Sequence, residues 1–160
     1  MILVAAALVF VLVTNDRGDG DERTGGAAQE TARVIRAVDG DTILAEVGGA
    51  RRYVRYIGVD TPETVKPDAP VQCFGPQAHD LNERLVGGRR VRLVYGEERE
   101  DRYGRLLAYV YAGKRFVNAE LLRRGYARTL TISPNDRYAE RFTELAQRAG
   151  RLGLGLWRVC

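Results

Sequence analysis

Apolar and polar positions alternate in short runs along most of the chain, each run broken by turn residues. Residues 31–38 and 42–47 are β-branched stretches separated by Asp39-Gly40-Asp41. Gly48-Gly49 turns the second into a third run, 51–59, where Tyr53, Arg55, Ile57 and Val59 fall on one face. The period then changes. Pro76 stands at a helix start, and Ala78, Leu81, Leu85 and Val86 form an apolar stripe ending at Gly87-Gly88. Residues 89–95 alternate again, 97–103 form a charged connection, and 105–111 read as a fifth strand turned by Ala112-Gly113. Two more helical stripes follow at 117–124 and 137–148, the second carrying Tyr138, Phe142, Leu145 and Ala146 as core positions. The order β-β-β-α-β-β-α-α predicts an α+β domain: a five-stranded Greek-key barrel of the OB type with three helices.

Two segments fall outside this pattern. Residues 60–75 hold Pro62, Pro67 and Pro70 without periodicity and read as a long loop, a feature that usually serves function. Residues 2–13 are an unbroken apolar run of roughly 18 Å at helical rise, short of the ~30 Å hydrocarbon core. Residues 1–14 are therefore a signal peptide or an N-terminal membrane anchor, although no Lys or Arg precedes the run and no A-x-A pattern closely follows it. Either reading exports the protein, secreted or tethered to the membrane. Residues 15–30 then form a disordered linker and 31–160 the folded domain. In an oxidising compartment the even pair Cys73 and Cys160 favours a disulfide over two unrelated thiols.

With 160 residues, 45% apolar and 29% charged, the chain has room for one globular domain, which excludes a multi-span membrane protein and a wholly disordered one. Two cysteines cannot build a zinc ribbon, and a Ser-His-Asp triad would have to use His79, the sole histidine. The net charge of +4 hides an acidic linker, −3 over 15–30, and leaves +7 on 31–160. Lys66 and Lys114 are the only lysines. Arginine's planar fork suits phosphate and points to a polyanionic partner, with an arginine-rich coding bias as the plainer explanation.

Two acidic clusters flank the three-stranded meander: Asp39-Gly40-Asp41-Thr42 and Asp60-Thr61-Pro62-Glu63. Two carboxylates, a carbonyl and waters suit a hard cation such as Ca²⁺. Taken alone, Asp39-Gly40-Asp41 is more commonly a plain turn, and Asp60-Thr61-Pro62-Glu63 reads equally as a Pro-initiated turn with a helix-capping acid. Arg55 lies five residues before Asp60, and Arg105 follows Asp101-Arg102-Tyr103-Gly104; taken singly, both read as surface arginines.

Together these motifs resemble the thermonuclease family of staphylococcal-nuclease-like domains. The resemblance runs from about Val34 to Trp157. It rests on Val38-Asp39-Gly40-Asp41-Thr42, on Arg55 with Asp60-Thr61-Pro62-Glu63, and on the run from Asp101 to Val110. Val117-Asn118, Leu121-Leu122 with Gly125, and Gly155-Leu156-Trp157 complete it. It implies that Asp41, Asp60 and the Thr61 carbonyl bind one Ca²⁺, with Asp39 close by. Glu63 would hold or deprotonate the attacking water, and Arg55 and Arg105 would grip the scissile phosphate. Arg102 and Tyr103 would contact substrate. Thr131 and Ser133 stand where the best-known member has two tyrosines around the base, and Trp157 is expected to plug the barrel's end. The implied activity is cleavage of the 5′ P–O bond in DNA and RNA, leaving 3′-phosphate ends, by a monomer. A non-catalytic nuclease-like module that only binds nucleic acid is the alternative, but gives no reason to keep Asp41, Asp60, Glu63, Arg55 and Arg105 together. A membrane-tethered structural domain touching anionic lipid leaves the acidic clusters unexplained.

Overall fold

A computed structural model describes residues 27–64 and 70–160. The apolar run 2–13, the linker up to residue 26, and Lys66, Pro67 and Asp68 of the long loop lie outside the described residues. Among the described residues no helix is long and apolar enough to cross a membrane.

The first strand, β1 (Gln29–Asp39), is long enough to serve two neighbours. Residues 29–33 pair with β5 (Arg90–Glu100), and residues 33–39 pair with β2 (Thr42–Val47), both antiparallel. Register irregularities between Val34 and Arg36 and between Ala37 and Asp39 let the strand bend from one partner to the other. β2 pairs with β3 (Ala50–Tyr56), and β5 with β6 (Leu106–Ala112). A parallel pairing of β3 with β6, Val54 opposite Leu106, closes the sheet. The result is the expected five-stranded barrel. Its interior is filled by alternating residues such as Ile43, Val54, Leu93 and Val110, all fully buried.

Helix α1 (Gly75–Val86) buries the expected stripe of Ala78, Leu81, Leu85 and Val86, together with Asn82. Helices α2 (Val117–Arg123) and α3 (Ala139–Arg151) follow, with Tyr138 packed edge-on to Tyr109 at 4.7 Å between ring centroids, as its core role requires. Short elements go beyond the sequence pattern: β4 (Gly58–Asp60), β7 (Arg115–Phe116), β8 (Arg128–Leu130) and the single turn α4 (Leu156–Val159).

Several boundaries differ from expectation for physical reasons. The third run is cut at Ile57, just before Gly58, which adopts φ +79° and lies so close to Phe142 that a Cβ would come within 2.6 Å of its ring. Gln29 and Glu30 belong to β1 and not to the linker, because they pair with Val94 and Leu93 and Glu30 accepts a bond from the Tyr95 hydroxyl at 3.0 Å. β5 runs on through its charged residues to Glu100, which pairs with Leu106. Trp157 is not a plug: it is 37% exposed, with Arg128 over its ring, and Leu156 is the buried residue of α4.

Candidate active site

The parallel closure of the barrel assembles the site. Arg55 on β3 sits opposite Thr42 on β2 and Leu107 on β6. Asp41 immediately precedes β2, and Arg105 immediately precedes β6. Asp60 ends β4 and carries the chain into the loop of Thr61 and Glu63. These residues converge on one cleft of about 450 Å³ lined by Arg55, Glu63, Arg105, Asp41, Asp60 and Thr61.

The acidic turn is held from beneath. The Asn82 amide, buried in α1, donates to the Asp39 carbonyl at 2.8 Å and accepts from the Tyr56 hydroxyl at 2.8 Å. Gly40 is required by close approach, since a Cβ there would lie 2.7 Å from Thr61 Oγ1 and 2.8 Å from the Ala78 methyl. Asp41 is buried. Its Oδ2 accepts the Thr61 N–H at 2.7 Å and the Thr61 hydroxyl at 2.9 Å, and its Oδ1 accepts the Thr42 hydroxyl at 3.1 Å.

Arg55 bridges the two carboxylates, with Nη2 on Asp60 Oδ1 at 2.8 Å and Nη1 against Asp41. Buried Nη1 makes no aligned hydrogen bond there. The acids crowd one another. Burial, a hydrogen bond with Glu63 and the charge of Asp41 push the Asp39 carboxyl up to about 6, against bonds from Thr64 and the Gly40 N–H. Burial also raises Asp60, despite the opposing pull of Arg55.

Glu63 rides on the loop. Its N–H donates to Gln72 Oε1 at 3.0 Å, while the Gln72 N–H donates back to the Glu63 carbonyl at 2.9 Å. The next residue, Cys73, is disulfide-bonded to Cys160 with Cα atoms 6.0 Å apart, so the C-terminus pins this loop. Arg105 is clasped by Asp101, through Nε to Oδ2 at 2.7 Å and the backbone N–H to Oδ1 at 3.0 Å. Asp101 lies below the usual carboxylate range: burial would raise it, but bonds from the Arg105 N–H and guanidinium and the Tyr103 N–H outweigh that.

Tyr103 does not line the cleft. It stands 68% exposed at the rim, 5.5 Å from the Arg105 guanidinium, with Arg102 bonded to its hydroxyl at 2.7 Å. Thr131 and Ser133 are exposed and also outside the lining. Sequence reasoning gave no site role to Tyr53, Asp101, Gln72 or Asn82. Tyr53 was within reach: it lines the cleft two residues from Arg55, on the face that strand alternation assigns to both.

Oxygen donors of carboxylate and carbonyl type suit a hard divalent cation, and water commonly completes such a shell. Among the described residues no three His, Cys, Asp or Glu side chains converge as a ready cage. The donor set is instead two carboxylates drawn together by one guanidinium, whose charge offsets their repulsion. The carboxylates are of the donor type a hard cation takes, and in this structure the Arg55 guanidinium lies against both.

The family model described as Staphylococcal nuclease homologue matches residues 53–159. The thermonuclease of Staphylococcus hyicus is 40% identical over 160 residues, covering 98% of this chain and 95% of that protein. The thermonuclease of Staphylococcus intermedius is 38% identical over 159 residues with the same coverage. The endonuclease YncB of Bacillus subtilis is 42% identical over 124 residues, 76% of this chain and 59% of that longer protein. Matches of this extent, on a barrel that gathers the same motifs into one cleft, make the chain a member of the staphylococcal nuclease family.

Proposed function

We propose that this nuclease is a Ca²⁺-dependent endonuclease that hydrolyses phosphodiester bonds of DNA and RNA and leaves 3′-phosphate ends. The observation that carries the reading is the meeting of two arginines, Glu63 and the two aspartates in one cleft. Asp41, Asp60 and the Thr61 carbonyl would hold the ion, which when bound supplies Lewis-acid polarisation and a template for phosphate oxygens. Arg55 and Arg105 provide permanent charge for phosphate oxygens as negative charge grows on them, and Arg105 also offers its terminal nitrogens as forked donors. Asp101 holds Arg105 by Nε, which keeps both terminal nitrogens as donors. Glu63 orients or deprotonates the attacking water, and its hydrogen bond with Asp39 fixes the carboxylate's position. Arg102 and Tyr103 at the rim offer a cation and a ring face to the neighbouring nucleotide.

The apolar run 2–13 and the Cys73–Cys160 disulfide support a secreted or membrane-tethered, extracytoplasmic enzyme. The test is incubation of the purified protein with DNA and with RNA in Ca²⁺, Mg²⁺ or EDTA. Cleavage is expected in Ca²⁺, with little in Mg²⁺ and none in EDTA, and product ends should resist polymerase extension until treated with phosphatase. Undiminished cleavage in EDTA would overturn the metal reading, and directly extendable ends would overturn the bond assignment.

A further inference from the structure

A second cleft, of about 560 Å³, lies at the other end of β6 and shares no lining residue with the first. Arg105 lines the first cleft just before β6, and Ala112, which ends β6, lines the second. At ~3.3 Å per residue the two are roughly 20 Å apart along the strand. Arg89, Lys114, Arg115, Arg123 and Arg141 face this groove, with Glu120 as its one carboxylate. Glu120 is already matched, bonding Arg123 and Arg124. Arg89, Lys114, Arg115 and Arg141 are exposed, and among the described residues none has a carboxylate within ion-pairing distance. Arg141 lies over the Phe116 ring at 5.6 Å, and Phe116 stacks on Tyr111 at 4.5 Å, which braces the guanidinium without neutralising it.

We propose that this groove is a second phosphate-binding surface, taking a distal stretch of the same nucleic-acid strand whose scissile phosphate occupies the first cleft. The proposal rests on the nuclease reading of that cleft. Unpaired arginine forks suit phosphodiester oxygens. The separation along β6 corresponds to roughly six base-pair steps at ~3.4 Å of duplex axis each, so a short duplex reaches both sites. An anionic membrane fits less well. Docking on a bilayer calls for exposed apolar anchors, whereas the groove's Phe116 and Leu145 are half-buried and the exposed large apolar residues near the C-terminus, Leu152, Leu154 and Val159, do not line it.

The test is binding of a 20-base-pair duplex, measured by fluorescence anisotropy in EDTA across a salt series, for wild type and for the triple variant Lys114→Gln, Arg115→Gln, Arg141→Gln. The slope of log K against log salt should fall in magnitude by about 2 to 3 in the variant. Cleavage of a trinucleotide oligomer in Ca²⁺, too short to span the two sites, should change less than about twofold. If the triple variant does not fold by circular dichroism, Arg115→Gln alone should lower the slope by about 1. An unchanged slope in folded variants overturns the proposal. So does loss of binding to phosphatidylserine vesicles with duplex binding intact, which would assign the groove to a lipid surface. A wild type that fails to cut the oligomer in Ca²⁺ counts against the nuclease reading alone, because the salt slope is measured without cleavage.

Discussion

Arg105, just before β6, is clasped by Asp101 through two hydrogen bonds, whereas Arg115, just past the other end of the same strand, has no carboxylate partner among the described residues. The contrast extends to their neighbours. In the first cleft Arg55 bridges Asp41 and Asp60, Glu63 is stapled by Gln72, and a disulfide ties the loop to the C-terminus. In the second, exposed cations stand around one acid that is already matched. Interlocked partners fix side chains against a developing charge, which is what stabilising a transition state requires. Unpartnered cations make a diffuse field that attracts phosphates without choosing among them. On the proposed function, the same residue type would serve geometry at one end of a strand and attraction at the other.

Breaking the interlock should show most in stability. Replacing Cys73 and Cys160 by serine reopens a loop of 87 residues and should cost on the order of 4 kcal/mol, read from urea denaturation. A loss below about 1 kcal/mol would mean that the loop is held by its hydrogen bonds alone.

Arg55→Lys and Arg105→Lys should each stay folded and lose at least ~10²-fold in kcat/KM, because a point charge cannot reproduce the fork. Near-normal turnover in either variant would reduce that arginine to a surface charge. Gly40→Ala would sharpen the account of the acidic turn. Its new methyl must push against Thr61 and Ala78, with an expected cost of about 1–3 kcal/mol and a matching fall in activity.

The smallest effect isolates the clasp on Arg105. Asp101→Asn keeps an acceptor for the backbone N–H groups but removes the charge beside the guanidinium, and kcat should fall by roughly tenfold. The same variant has a pH signature. The folded carboxyl lies below its ordinary value, so its stabilisation is complete above about pH 4 and is lost as pH falls through the lowered value. Asp101→Asn should therefore flatten the acid limb of the stability curve. An unchanged acid limb would remove the clasp from the account.

Much of this was legible beforehand because periodicity reports burial directly: the barrel strands and the α1 stripe were visible as alternation and helical spacing. The cut at Ile57 was invisible, since the apolar alternation runs through it and only the approach of Phe142 to Gly58 demands the cut. β7 and β8 are too short to carry a period. The arginines and acids of the first cleft could be named from their motifs, but Asp101 and Gln72 act through turn and loop closure, which spacing does not encode. Arg89, Lys114, Arg115 and Arg141 come from separated elements and meet only once the barrel and α3 are packed. Trp157 misled because a single helical turn decides which of two adjacent apolar residues goes inside, and Leu156 does.

The central claim, a cation held between Asp41 and Asp60 in the first cleft, is tested most directly by calorimetric titration of Ca²⁺ with a bound nucleotide into wild type and Asp41→Ala. The account predicts one Ca²⁺ per wild-type chain, affinity at least ~10-fold weaker in the variant, and loss of cleavage with the fold intact. Ca²⁺ affinity and cleavage both undiminished in Asp41→Ala would contradict it.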